Sequence, residues 1–180
     1  MKIYIFRFGH RLERDKRITT HCALVSRAFG ACKMFYSGQE DPSFENSVKE
    51  VQEDWGGNFT IEYIPDWEKF FNINKDKYYI VHLTMYGTAF DDFAKNFNKT
   101  FKKGLQKQKK DLLIFVGSQK VPTAVYHFAN ANVCVTNQPH SEVCALGVLL
   151  NALVDYRTVK FSGAKIKVKP NLKGKTIVKN

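Results

Sequence analysis

The 180-residue chain has no long apolar run: Val143 to Val154 is only a dozen residues and contains Asn151. A membrane-spanning helix needs about 20, so no membrane partner is expected. Cysteine is scarce. Cys22, Cys32, Cys134 and Cys144 form no CxxC and stand apart from clustered histidines, which argues against a zinc ribbon or a redox pair and leaves free, mostly buried thiols and no metal as the expectation. The phosphate-cradling GxxxxGK[ST] is absent, and the first strand runs into FGHRLERDKR, not a GxGxxG turn. A P-loop and an ordinary dinucleotide site are therefore disfavoured. Met1 to Phe8 is too short for a signal peptide and basic residues follow at once, so an intracellular, cytoplasmic protein is expected. Acid is in deficit as well, with 17 Asp and Glu against 28 Lys and Arg.

What is present is a globular composition. With 44% hydrophobic and 14% aromatic residues against 25% charged, the chain can bury a core, and its length suits one domain. A net charge of +11 and a pI near 9.5 create a field that attracts polyanions, and nucleic acid is the first partner to consider.

Residues 2–8 alternate like a strand, followed by a polar loop and a helix opening at the Thr19 and Thr20 caps and stopping at Gly30. A turn over 37–47 leads to an acidic helix through Val48, Val51 and Trp55, and Phe59 to Ile64 reads as another strand. The runs YYIVHLT (78–84), LLIFVG (112–117) and NVCVT (132–136) are continuously apolar, as strands covered on both faces are. Helical patterns lie between them, through Phe90, Phe93, Phe97 and Phe101 and through Ala124 to Phe128. A further helix is expected from Pro139 to about Tyr156. The fold class that follows is α/β, a mostly parallel sheet with flanking helices, closed by a C-terminal β-hairpin. That hairpin belongs to a tail, Lys160 to Lys179, with seven lysines and no acid.

In open parallel sheets ligands bind outside the carboxyl ends of strands. Here those ends carry Leu83 with Thr84 to Gly87, then Gly117-Ser118-Gln119-Lys120-Val121-Pro122, then Asn137-Gln138-Pro139-His140-Ser141-Glu142. Pro139 sits where it can open a helix whose free N–H groups favour an anion; helix capping explains the same residues. A second constellation, Arg11, Arg14, Lys16 and Arg17, suits phosphate contacts ahead of a helix, although Glu13 and Asp15 lie among them. His82, inside an apolar strand, reads as a satisfied core histidine.

Taken together, FRFGHRLERDKRITTHCALVSRAFGA (6–31), VHLTMYG (81–87), VGSQKVPTAVYHFANANVCVTNQPHSEVCALGVLL (116–150) and SGAKIKVKP (162–170) resemble the archaeal tRNA (cytidine-56)-2'-O-methyltransferase family. The resemblance covers nearly the whole chain and is weakest from about Met34 to Lys77. It implies a SPOUT-type fold with a C-terminal trefoil knot, over a domain spanning 1–158 with 159–180 as its basic hairpin extension. It also implies a homodimer acting on tRNA, with S-adenosyl-L-methionine as methyl donor. The residues it implies for the donor are Leu83; Gly117, Ser118, Gln119, Lys120 and Val121; and Val135, Thr136, Asn137, Gln138, Pro139, His140, Ser141 and Glu142. Arg27, within SRAFG, is the implied catalytic residue at the ribose, and Arg11, Arg14, Lys16 and Arg17 would bind RNA. Leu12 and Thr136 depart from the proline and glycine common in the family. An arginine stays protonated at ordinary pH, so His21, His10 or an RNA phosphate is left to take the proton. The alternatives are a non-catalytic RNA-binding protein and a SPOUT enzyme methylating another RNA position.

Overall fold

In a computed structural model, which describes residues 1–97, 99 and 102–179, the chain forms a parallel sheet of six strands in the order β3-β2-β1-β5-β4-β6. The strands are β1 (Ile3–His10), β2 (Lys33–Gly38), β3 (Thr60–Tyr63), β4 (Tyr78–Ala89), β5 (Asp111–Gly117) and β6 (Ala131–Cys134). The helices are α1 (Leu12–Ala28), α2 (Pro42–Trp55), α3 (Trp67–Asn74), α4 (Phe90–Asn96), α5 (Lys102–Lys107), α6 (Thr123–Phe128) and α7 (Glu142–Leu153). Every pairing in the sheet is parallel. All the strand carboxyl ends therefore share one edge, and a helix following a strand runs back toward the other. None of the described helices is long and apolar enough to cross a membrane.

The central strands are covered on both sides, which is why β5 reads as an unbroken apolar run. One face buries Ile3, Ile5, Val81, Leu112 and Ile114 under Cys22 and Ala23 of α1, Val48 of α2, Phe93 of α4 and Leu146, Leu149 and Leu150 of α7. The other is aromatic: Phe6, Phe8, Phe35 and Phe115 pack against Phe71 of α3, Val125 of α6 and the half-buried Trp67, Phe70 and Phe128. Phe6 and Phe115 lie stacked with centroids 5.5 Å apart and planes 5° from parallel.

Several sequence expectations need correction. Helix α1 starts at Leu12, not at the Thr19 caps, so the basic segment expected as a loop is helical. Its start is fastened by Asp15, which accepts hydrogen bonds from the Arg11 backbone N–H (3.1 Å) and Nε (2.7 Å), while Glu13 and Asp15 complement the helix dipole. Neither β2 nor α3 is anticipated by the periodicity. Helix α7 opens at Glu142 under a Ser141 cap, leaving Pro139 outside it. Phe101, expected on a helical stripe with Phe97, lies outside the described residues. All four cysteines are free; Cys22 and Cys134 are buried, Cys32 half-buried and Cys144 exposed.

Strand β4 also runs further than its apolar run. It pairs Leu83 with Val133, loops out over residues 84–87, and returns with Thr88 opposite the same Val133. Gly87 allows this return, since a Cβ there would collide with the backbone of Asn132 and Val133. At the end of the chain β7 (Ile166–Lys169) and β8 (Thr176–Lys179) form an antiparallel hairpin. It is tied to the end of α2 by Gly57 N–H donating to Ser162 O (2.8 Å) and Lys165 N–H donating to Asp54 O (2.9 Å).

Because Phe115 is fully buried in the aromatic layer, Phe115→Ala is expected to cost about 3–5 kcal/mol. Urea unfolding should show a lower midpoint with an unchanged slope.

Candidate active site

The carboxyl ends of β4, β5 and β6 enclose a cavity of about 540 Å³, within the range of small-molecule sites. Of the residues expected at a ligand, Leu83, Gly117, Ser118, Gln119, Lys120, Val121, Val135, His140 and Glu142 line it. Thr136, Asn137, Gln138, Pro139 and Ser141 belong to the same strand-end loop but do not line the cavity. Asn137 instead donates from Nδ2 to Met85 O (2.6 Å), fastening the β4 excursion, and Ser141 Oγ accepts from Val143 N–H (3.2 Å) as the α7 cap. The wall also includes His82, Thr84, Met85, Tyr86, Thr123 and Tyr126. The α6 residues and His82 were not expected at a ligand, because neither lies in a strand-end loop.

Two strand-end loops are fastened to β1. Ser118 donates from its backbone N–H to Phe8 O (2.9 Å) and from its hydroxyl to Phe8 O (2.8 Å) and Gly9 O. Arg7, wholly buried, donates from Nη1 to Gly117 O (2.8 Å) and from Nη2 to Glu142 Oε1 (3.0 Å). In the sequence Arg7 counts only among the basic residues at the end of the first apolar run, although a charge at the third inward position of Ile3-x-Ile5-x-Arg7 was a visible signal. Gly117 is needed for packing as well as for ligand approach, since a Cβ there would strike the Val121 side chain.

His82 is not the satisfied core histidine expected. Its Nδ1 lies 2.8 Å from Asn132 Oδ1, and Asn132 donates from Nδ2 to Tyr126 O (3.0 Å), which orients the amide. His82 Nε2 has no partner among the described residues. Burial pushes the His82 imidazole below its ordinary value, with the Asn132 hydrogen bond offsetting part of the effect. His10 is likewise lowered by burial, against the opposing hydrogen bond and charge of Asp41. It is held between Thr19 Oγ1 (2.9 Å) and Asp41 Oδ2 (3.3 Å), which removes it from any exposed proton-accepting role. His21 is exposed.

The basic residues divide. Arg11 is committed to Asp15 through Nε and Nη2 and reaches Ser118 O (3.0 Å), so it touches the cavity loop directly. Burial would raise the Asp15 carboxyl, but the hydrogen bond and charge of Arg11, with Arg7 behind, hold it below the usual range. Arg14, Lys16 and Arg17 are exposed, with Lys16 Nζ 2.9 Å from Ser43 Oγ. Arg27 is not brought to the cavity. It stands fifteen residues after Leu12 on a helix that runs away from the strand carboxyl ends, about 22 Å along the axis. There it lines a separate cavity of about 260 Å³ with Gln52, Phe59 and Phe161. Its guanidinium donates to Gly56 O and to Gln52 Oε1 (3.2 Å) and lies 4.9 Å from the centre of the Phe161 ring.

Acid should expose the buried imidazoles. As pH falls from 7 through the ordinary imidazole range, the unfolded chain takes up protons that the folded His10 and His82 resist, so stability falls as pH falls. Thermal melts of His82→Gln should show a shallower loss over this interval than the parent protein.

Comparison with known proteins places the site in context. Residues 55–178 match the family model described as tRNA ribose 2'-O-methyltransferase, aTrm56. The tRNA (cytidine(56)-2'-O)-methyltransferase of Thermococcus kodakarensis is 48% identical over 178 residues, covering 98% of this chain and 96% of the relative. The enzyme of the same name from Methanocaldococcus jannaschii is 42% identical, with 99% and 97% covered. Among solved structures, the A. aeolicus TrmH/SpoU tRNA modifying enzyme superposes with a TM-score of 0.59 at 13% identity over 87% of this chain and 74% of its own. The SpoU methyltransferase AviRb from Streptomyces viridochromogenes, in complex with AdoMet, gives 0.59 at 12% identity over 86% and 57%. These structural likenesses carry the fold alone.

Proposed function

The chain belongs to the tRNA ribose 2'-O-methyltransferase family, and from that membership we propose that it transfers a methyl group from S-adenosylmethionine to the ribose 2'-hydroxyl of cytidine-56 in the T loop of tRNA. What carries the reading is that the family match, residues 55–178, contains every residue lining the cavity. The cavity suits the donor chemically. Leu83, Val116, Val121, Val133, Val135 and Ala145 offer apolar walls to a flat heterocycle, the Glu142 carboxylate offers a partner for positive charge, and the Gly117 loop presents backbone.

S-adenosylmethionine, when bound, supplies an electrophilic methyl group. The protein must hold the ribose oxygen in line at about 3–3.5 Å from that carbon and exclude water. Leu83 and the loops over 117–121 and 135–142 would hold and orient the donor. With His10 locked in the interior, the exposed His21 and an RNA phosphate remain as proton acceptors. Arg27 lies at the far edge of its own sheet, so a role at the ribose would be exercised on the cavity of a second copy. A homodimer is part of this reading. It is supported by the hairpin, whose Val168, Ile177 and Val178 are 60%, 59% and 46% exposed, an apolar side that a partner copy can cover. The reading also includes a knotted C-terminal half, with β6 added on the side of β4 away from β5. It further includes 159–180 as an extension of one domain, and a cytoplasmic location alongside tRNA.

The direct test is to incubate the protein with labelled S-adenosylmethionine and an unmodified tRNA transcript and map the product. A single 2'-O-methyl at nucleotide 56 is expected; a methyl on a base or at another nucleotide overturns the assignment. Catalysis in trans predicts complementation. Mixed Arg27→Ala and Glu142→Ala subunits should regain activity that neither variant has alone, because one site in the mixed dimer is intact.

Grip and chemistry should separate as well. Alanine at Arg14 or Arg17, both exposed, should weaken tRNA binding and lower its salt slope by about one unit, with turnover at saturating tRNA unchanged. Filter-binding titrations at several salt concentrations measure both.

A further inference from the structure

Arg7 is a buried cation in a place where the strand pattern calls for an apolar side chain. It follows Ile3 and Ile5 on the face of β1 that packs under α1 and α7, and it is fully removed from solvent. A guanidinium taken out of water is costly unless it is paired and hydrogen-bonded. Both of its hydrogen-bond acceptors belong to residues that line the proposed donor cavity. Nη1 donates to Gly117 O (2.8 Å) at the end of β5, and Nη2 to Glu142 Oε1 (3.0 Å) at the first residue of α7. Its Nε has no partner among the described residues. Arg7 itself does not line the cavity, whereas Gly117 and Glu142 do.

The sheet does not need this arginine to join β1 to β5. Six residue pairs from Ile3↔Leu112 to Phe8↔Gly117 already do so, and the backbone and hydroxyl of Ser118 are tied to Phe8 O independently. What Arg7 adds is the link to Glu142. Because the guanidinium is planar, its two outer nitrogens set the separation of the two acceptors, a task a lysine ammonium cannot reproduce.

We propose that Arg7 is the positioning residue for the methyl donor: through one planar fork it holds the Gly117 carbonyl and the Glu142 carboxylate, from two residues that line the cavity, at a set distance from each other. Glu142, with 24% of its side chain still exposed, is thereby aimed at the positive charge of the donor. This rests on the assignment of the cavity to S-adenosylmethionine, and deepens it by naming what sets the acidic contact.

The test is calorimetric titration of S-adenosylmethionine into the full-length parent protein, Arg7→Lys, Arg7→Met, Glu142→Gln and the double variants. Thermal melts and separate KM values for donor and tRNA accompany it. Donor affinity should fall about 10-fold in Arg7→Lys and Glu142→Gln and about 100-fold in Arg7→Met, the scale expected when one partner of a buried charged pair is removed. The Arg7→Met/Glu142→Gln double variant should bind no more weakly than Arg7→Met alone, since the two changes break one linkage. The KM for tRNA should stay within about 2-fold of the parent value, because the hydrogen bonds of Arg7 among the described residues go to the cavity residues Gly117 and Glu142. If Arg7→Met does not fold, the cycle through Arg7→Lys and Glu142→Gln decides by the same criterion. Parent-like donor binding by Arg7→Lys, multiplicative losses in the cycle, or donor and tRNA affinities falling together with the melting temperature would overturn the proposal. A parent protein that binds no donor at all would instead overturn the cavity assignment.

Discussion

One buried guanidinium links the end of β5 to the start of α7 at the cavity. Arg7 sits on the strand that β2 and β5 flank, and its fork reaches the last residue of β5 and the first residue of α7. An isolated charge in that position would be expelled or would unfold the site. The pairing with Glu142 and the Gly117 carbonyl makes it tolerable, and in doing so couples two loops that are distant in the chain. Around it lies a small polar interior, with Asp15 bound to Arg11 and His10 between Thr19 and Asp41, beneath the first turns of α1. Polar interiors of this kind are high-stakes, because each unsatisfied member costs more than an apolar replacement would.

That polar interior changes the meaning of the basic N-terminal segment. Read as a loop, Arg11 to Arg17 is one phosphate-gripping patch. Folded as the start of α1, it splits into an arginine that faces inward to Asp15 and Ser118 and cations that face water. Surface cations of the second kind contribute little to stability and much to a long-range field. The same helix explains the distance between Arg27 and the cavity. Seventeen residues of α1 span the depth of the sheet, so its two ends serve opposite edges. Arg27 joins the tail to α2 through Gly56 and Phe161, and a single chain does not unite it with the cavity loops.

The sequence by itself determined the elements whose signal is local. The apolar runs of β4, β5 and β6, the alternation of β1 and the apolar stripe of α2 depend on residues a few positions apart, and each appears within a few residues of where periodicity puts it. The motif-bearing loops after Leu83, Gly117 and Cys134 were also legible, because strand carboxyl ends in a parallel sheet must share an edge. Short β2 was not, since KMFYSG ends in turn-forming residues and its burial comes from neighbours on both sides. The start of α1 was hidden because its fastening comes from Asp15 reaching back to Arg11 rather than from a Ser or Thr cap. Only the tertiary structure decided which polar side chains face one another: that Arg7 meets Glu142 across 135 residues, that Asn132 orients His82 across 50, and that Arg27 faces the opposite edge. Such pairings depend on strand order and helix direction, and spacing along the chain carries neither.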